Sequence, residues 1–337
     1  MSTLTRPKTD TVATTPGTLR GSVRVVLRVH RRAFRIMGAV VLLGVLWMVG
    51  LSLWTDRLAE QFATSGCSVE NTVIGCGSAV RDHLDAQMRL SDTQIWAGLL
   101  MMALPALVGA FVAGPAIARE LEIGTFRLSW SQSVSPARWL AAKLLVLAVL
   151  TVAATSVLAS VCAWFWSRNA DAYYSDGWFE RSVYGTRGTV PLSYALLGLA
   201  LGTLAGVLVR RTVAAMAATV VTYGLVLVAF NTVRDSLWPI RTDVFAVGGG
   251  YEFPKDSWQV AQGYVTSTGE RLPVEICLSS EKDLVDCLAT HDSSQRYLDY
   301  HPASHYWPLQ LVETGILLAL AALAVFAAFR VLRRLHG

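Results

Sequence analysis

Residues 140–166 read LAAKLLVLAVLTVAATSVLASVCAWFW, and Lys143 is the single charged side chain in this run. As an α-helix the stretch extends about 40 Å, beyond the roughly 30 Å hydrocarbon core of a bilayer. A helix on the surface of a soluble domain would carry a polar face, and this one has none. Reading outward in both directions, five further segments have the same character: Ile36–Leu53, Ile95–Ala118, Pro191–Val209, Val213–Phe230 and Leu309–Phe329. Trp54, Trp96, Trp139, Trp166 and Trp307 stand at the ends of these runs, where amphipathic rings favour the headgroup level. The expected fold is an all-α integral membrane protein with six transmembrane helices. About 35 mostly polar residues precede the first run and no small-residue cleavage site follows it, so it reads as a retained span and not a signal peptide.

The whole-chain composition agrees. Of 337 residues, 53% are hydrophobic and 16% charged, against about 25% charged in a soluble domain. The mean hydropathy is +0.44. This argues against a cytosolic enzyme, a disordered regulator and a disulfide mini-scaffold. The net charge of +5 is laid out asymmetrically. With both termini, Arg119–Lys143 and the Arg210-Arg211 turn on one side, that side holds 17 Lys/Arg and 3 Asp/Glu. The other holds 12 and 20, leaving Glu313 aside within its span. The positive-inside rule then makes the termini cytoplasmic, in a plasma membrane. Topology accounts for the arginines, so no nucleic-acid partner is expected.

Residues 1–18, rich in Ser, Thr and Pro, read as a disordered cytoplasmic tail. Over 19–35, apolar Val23, Val26, Leu27 and Phe34 share one helical face and arginines fill the rest, the pattern of an interfacial amphipathic helix. Residues 36–230 hold spans one to five. Residues 231–308 form an outer loop long enough for a small mixed fold, with strands over 258–267 and 271–277 and a helix over 281–291. Residues 309–337 are the sixth span and a basic cytoplasmic tail.

Cys67 and Cys76 fall in the first outer loop and Cys277 and Cys287 in the last. Four cysteines allow three pairings, and the local one, within each loop, is favoured on an oxidising side. Their spacing does not fit a typical zinc site, and Pro302 breaks the His301/His305 pair, so no metal site is expected. There is no G-x-x-x-x-G-K-[ST] loop, no H-E-x-x-H and no G-x-S-x-G. Glu313 is the one clear charge inside a span, beside Gln310, and marks a candidate polar point on a substrate path. The spans lack a further Asp/Glu/His relay, which argues against a proton-coupled transporter. Lys143 is expected at the cytoplasmic border, its ammonium snorkelling outward.

The loop between spans two and three carries more information. Residues 119–138 start with charge at Glu120 and Glu122, break at Gly124-Thr125, and continue through Phe126, Leu128 and Trp130 to Ser135-Pro136, a helix start. With Arg138 and Lys143 following in order, this resembles the E-x-E-x-G-T-x-x-x-L loop of ABC-2-type transporter permeases, in a form similar to actinobacterial members. The resemblance implies a bacterial permease subunit, not itself an enzyme. Separate ABC ATPase subunits would carry ATP and Mg and dock on Glu120, Glu122, Gly124, Thr125, Phe126, Leu128 and Trp130. It also implies a second permease chain in a homodimer, contact with membrane lipids, and export of a lipophilic or lipid-like compound. Two readings from other classes stand beside it: an anchor or sensor with a ligand-binding outer loop, and a lipid-acting membrane enzyme.

Overall fold

The computed structural model describes residues 31–70, 75–124, 135–169, 174, 176–277 and 284–334. The expected tail over 1–18, most of the expected interfacial helix over 19–35, and the loop residues Thr125, Phe126, Leu128 and Trp130 lie outside the described residues.

Six helices among the described residues are long and apolar enough to cross a membrane. The first is α1 (Arg31–Thr64). The second is continuous from Gly77 to Ile123 but not regular. It runs as α2 (Gly77–Leu107), passes through a π-helical segment, Val108–Ala113, and ends as α3 (Gly114–Ile123). Pro105 withdraws one backbone donor just before the π turns. Then come α4 (Pro136–Arg168), the short α5 (Arg181–Tyr184), α6 (Val190–Val209), α7 (Thr212–Val233) and finally α9 (Tyr306–Arg334).

Helix and apolar run do not end together. The segment read as the first outer loop is largely helical, because α1 continues to Thr64 and α2 begins at Gly77. Hydropathy marks where a chain leaves lipid, whereas hydrogen bonding decides where a helix stops. The tip of this hairpin is closed by Cys67–Cys76, with Cα atoms 5.7 Å apart.

The fourth span, α6, is the axis of the bundle. Of its apolar window 61% is buried, against 17–33% for the other five. Gly198, Gly202 and Gly206 recur every four residues on one face of it. A Cβ on Gly198 would come within 2.2 Å of the Pro105 carbonyl oxygen, and one on Gly202 within 2.2 Å of that of Gly109. Small residues let two backbones touch where lipid offers no hydrophobic drive to hold helices together. The π-helical segment is therefore packed backbone to backbone against α6.

Between α7 and α9 lies a four-stranded antiparallel sheet, β1 (Arg241–Ala246), β2 (Trp258–Thr266), β3 (Arg271–Pro273) and β4 (Ser293–His301), in the order β1-β4-β2-β3. A short helix α8 (Leu284–Thr290) packs on one face, where Cys277–Cys287, Tyr264 and Leu288 form a small core. The strand expected over 271–277 is cut to three residues and turns into a 3-10 helix at Val274–Cys277. Strands β1 and β4 escaped the sequence reading, since SSQRYLDYH has little apolar alternation. The sheet stands on an aromatic base: Trp178 meets Trp258 edge-on, Phe179 stacks on Trp258, and Trp178 Nε1 donates to the Asp256 carbonyl at 2.6 Å.

Candidate functional site

At the end of the bundle away from the sheet, the exit of α3 is tied to two other spans. Glu120 Oε1 meets Lys143 Nζ of α4 at 2.5 Å, and Glu120 Oε2 accepts from Trp139 Nε1 at 3.1 Å. The same ammonium donates to the Ala116 carbonyl at 2.7 Å and lies 4.4 Å from the centroid of the Trp139 ring. Lys143 is 6% exposed, so the expectation that it snorkels to the border is corrected. It stays inside because a carboxylate, a carbonyl and an aromatic face are already there to replace water. Two residues on, Glu122 Oε2 accepts from the backbone NH of Thr212 at 3.0 Å and from its hydroxyl at 2.7 Å. That carboxylate caps the start of α7, where backbone donors have no partner within the helix. Gly124 then ends α3 in the left-handed region, φ 81°, its NH bonded to the Glu120 carbonyl. This is a helix end that favours glycine. Ser135, extended at φ −64° and ψ 145°, accepts from the Arg138 NH and starts α4 as expected. Both carboxylates bond within the chain, while Glu122 stays exposed and Glu120 partly so.

The second polar cluster is buried near the sheet. Glu313 is fully buried on α9. Its Oε2 accepts from Arg234 Nε at 2.9 Å, and its Oε1 accepts from Arg234 Nη2 at 3.1 Å and the Tyr194 hydroxyl at 2.9 Å. The guanidinium also lies 4.4 Å from the Tyr184 ring centroid. One turn earlier, Gln310 Oε1 accepts from the backbone NH groups of Thr189 and Val190, both at 3.1 Å, and its Nε2 donates to the Tyr184 carbonyl. Gln310 and Glu313 are therefore together on one face of α9, as expected, but they fasten it to the start of α6 and the end of α7. Both side chains are fully buried within the chain. The apolar run of the fifth span ends at Phe230, which put Arg234 outside it and hid the partner. An acid about one turn into an apolar run was the available signal that a polar or charged partner must come from elsewhere.

A groove of about 620 Å³ runs between α4, α6 and α9, lined by Ala, Leu, Val and Phe alone. The four loop cysteines form the two local pairs expected, and Cys162 is buried and free. His301 and His305 face each other, Nδ1 to Nδ1 at 3.0 Å, and His301 Nε2 reaches the Asp235 carbonyl.

Six apolar spans, a glycine-packed axis and ion pairs at Glu120–Lys143 and Glu313–Arg234 define a multi-pass membrane protein. The family model described as ABC-2 membrane transporter related matches residues 37–234, more than half of the chain. The chain belongs to that family and is a membrane transporter permease, and membership implies association with ABC ATPase subunits. No curated protein and no solved structure matches it.

Proposed function

We propose that this chain is the permease subunit of an ATP-driven exporter that moves a lipophilic or lipid-like compound across the plasma membrane of a bacterium. Separate ATPase subunits, which bind ATP and Mg, dock from the cytoplasm on residues 119–138. One observation carries this reading: Glu120 and Glu122 tie the exit of α3 to α4 and α7 immediately before Gly124. A push on the segment after Gly124 is then delivered to three spans at once. The side chains offered to the ATPase are Phe126, Leu128 and Trp130, while the two carboxylates keep the base of the loop rigid.

The apolar groove between α4, α6 and α9 supports a lipophilic cargo, since it offers no fixed charge to a polar one. The charge asymmetry supports a cytoplasmic arginine end and an outer sheet. A second copy of the chain completes the translocation path.

The test is capture of the ATPase subunit by wild type and by Leu128→Asp, with Glu270→Lys on the exposed β2–β3 turn as control. A carboxylate forced into an apolar contact costs several kcal/mol. Capture should fall more than tenfold, which needs only about 1.4 kcal/mol. If no ATPase is captured by wild type, the anchor or sensor reading takes its place.

A further inference from the structure

Where α2, α4 and the segment before α5 meet, a half-open chamber with about 20 Å³ of room is lined by Gln87, Ser91, Gln94, Trp166, Asn169 and Asp176, together with Leu90, Phe165 and the exposed Tyr174. Gln87, Ser91 and Gln94 stand at i, i+4 and i+7 on α2, so one helical face supplies three of the polar groups. Trp166 Nε1 donates to the Asp176 carbonyl at 3.0 Å and pins the Asp176 segment to α4.

Three buried side-chain oxygens in this wall have no hydrogen-bond partner: Gln87 Oε1, Gln94 Oε1 and Asp176 Oδ2. Gln94 is 4% exposed and its orientation is fixed. Its Nε2 points at the Ser182 carbonyl and Thr186 Oγ1, both at 3.4 Å. A flipped amide would set its oxygen against that carbonyl oxygen, so Oε1 must take the other direction. No ion pair reaches Asp176 among the described residues. Arg187 is stacked on the Trp166 ring at 3.7 Å, and its own buried Nε has no hydrogen-bond partner. Burial pushes the Asp176 carboxyl up, the Glu180 carboxylate acts in the same direction, and a bond to Ser91 opposes both.

Buried oxygens left open in this way call for a donor or a cation. The chamber holds one water-sized body, for which about 10–15 Å³ suffices. A water has two hydrogens, and three acceptors wait for it. A cation satisfies all three together. Hard oxygen ligands with a single carboxylate match one positive charge. Mg²⁺ keeps several of its waters and Ca²⁺ takes 6–8 oxygens, and neither fits this space.

We propose that this chamber binds a single sodium ion, held by the Asp176 carboxylate, the carboxamide oxygens of Gln87 and Gln94, and the Ser91 hydroxyl. The ion joins α2 to the segment that carries the sheet's aromatic base, which Trp166 already pins to α4, so its occupancy stiffens the connection between the bundle and the sheet. The proposal does not depend on the transport reading.

The experiment uses the full chain in lipid nanodiscs, with choline chloride replacing NaCl at constant ionic strength. Equilibrium binding of radioactive sodium should saturate at one ion per chain, and the unfolding midpoint should rise by about 3 °C or more with sodium. Asp176→Asn, which keeps the shape and removes the charge, should weaken sodium binding more than tenfold and abolish the thermal shift. Gln87→Leu, at a half-buried position, should weaken binding in the same direction and carries the test if Asp176→Asn does not fold. A protonated Asp176 with one water is the other filling of the chamber. Wild type without saturable sodium binding would establish that filling and overturn the proposal, as would wild-type affinity in both variants.

Discussion

Glu313 and Arg234, 79 residues apart in the chain, form a two-pronged ion pair in which the carboxylate is wholly buried and the guanidinium nearly so. The pair joins the last span to the exit of the fifth, and Tyr194 brings in the fourth. A buried pair of this kind contributes little net stability relative to an apolar replacement, but breaking it strands a charge.

Removing one partner should therefore cost more than removing both. Arg234→Met and Glu313→Leu are each expected to destabilise the protein by about 3–5 kcal/mol, and the double variant by less than either. Thermal unfolding in nanodiscs reads this directly. If the two single losses simply add, the carboxylate and guanidinium are not each other's partners.

At the arginine end the corresponding pair is lopsided. The Lys143 side chain is 7% exposed and that of Glu120 37%. Glu120→Gln leaves a buried ammonium without a counter-charge and should cost about 2–3 kcal/mol. Lys143→Met leaves a carboxylate that reaches water and should cost less than about 1 kcal/mol. Equal losses would mean that Lys143 also reaches water.

Glycine packing gives a sharper structural test. Gly202→Val places a side chain where the Gly109 carbonyl already lies, and should abolish recovery of folded protein, because both atoms belong to helix backbones that cannot yield separately. Gly315→Ala, where nothing lies within 4 Å, should be neutral or slightly stabilising. Normal folding of Gly202→Val would contradict the contact between α6 and the π-helical segment.

Orientation is checked with cysteines. In a background lacking the native ones, Asp85→Cys and Glu270→Cys should react from outside intact cells with an impermeant maleimide, and Arg211→Cys only after permeabilisation. In the native chain Cys67–Cys76 and Cys277–Cys287 should map as disulfides under non-reducing conditions, each contributing about 2–3 kcal/mol to its own loop. Outside labelling of Arg211→Cys would invert the map.

The six spans, the cysteine pairing and the Ser135 start of α4 were all legible in the sequence, because each depends on local composition or short spacing. A run of apolar side chains has the same preference for lipid whatever lies beside it. Hydropathy marked the ends of the first two spans but not how far their helices run on, to Thr64 and from Gly77. The glycine repeat at Gly198, Gly202 and Gly206 was visible as a pattern, but its meaning required the π-helical segment that it meets. The partners of Glu313, Lys143 and Glu122 were beyond reach, since each bond joins helices that only packing brings together. Arg234 pairs with Glu313, and Thr212 with Glu122, across 79 and 90 positions of chain. In an apolar bundle every buried charge must find a partner. The sequence by itself therefore determined that Glu313 is a charge placed within an apolar span, and the tertiary structure decided that Arg234 pairs with it.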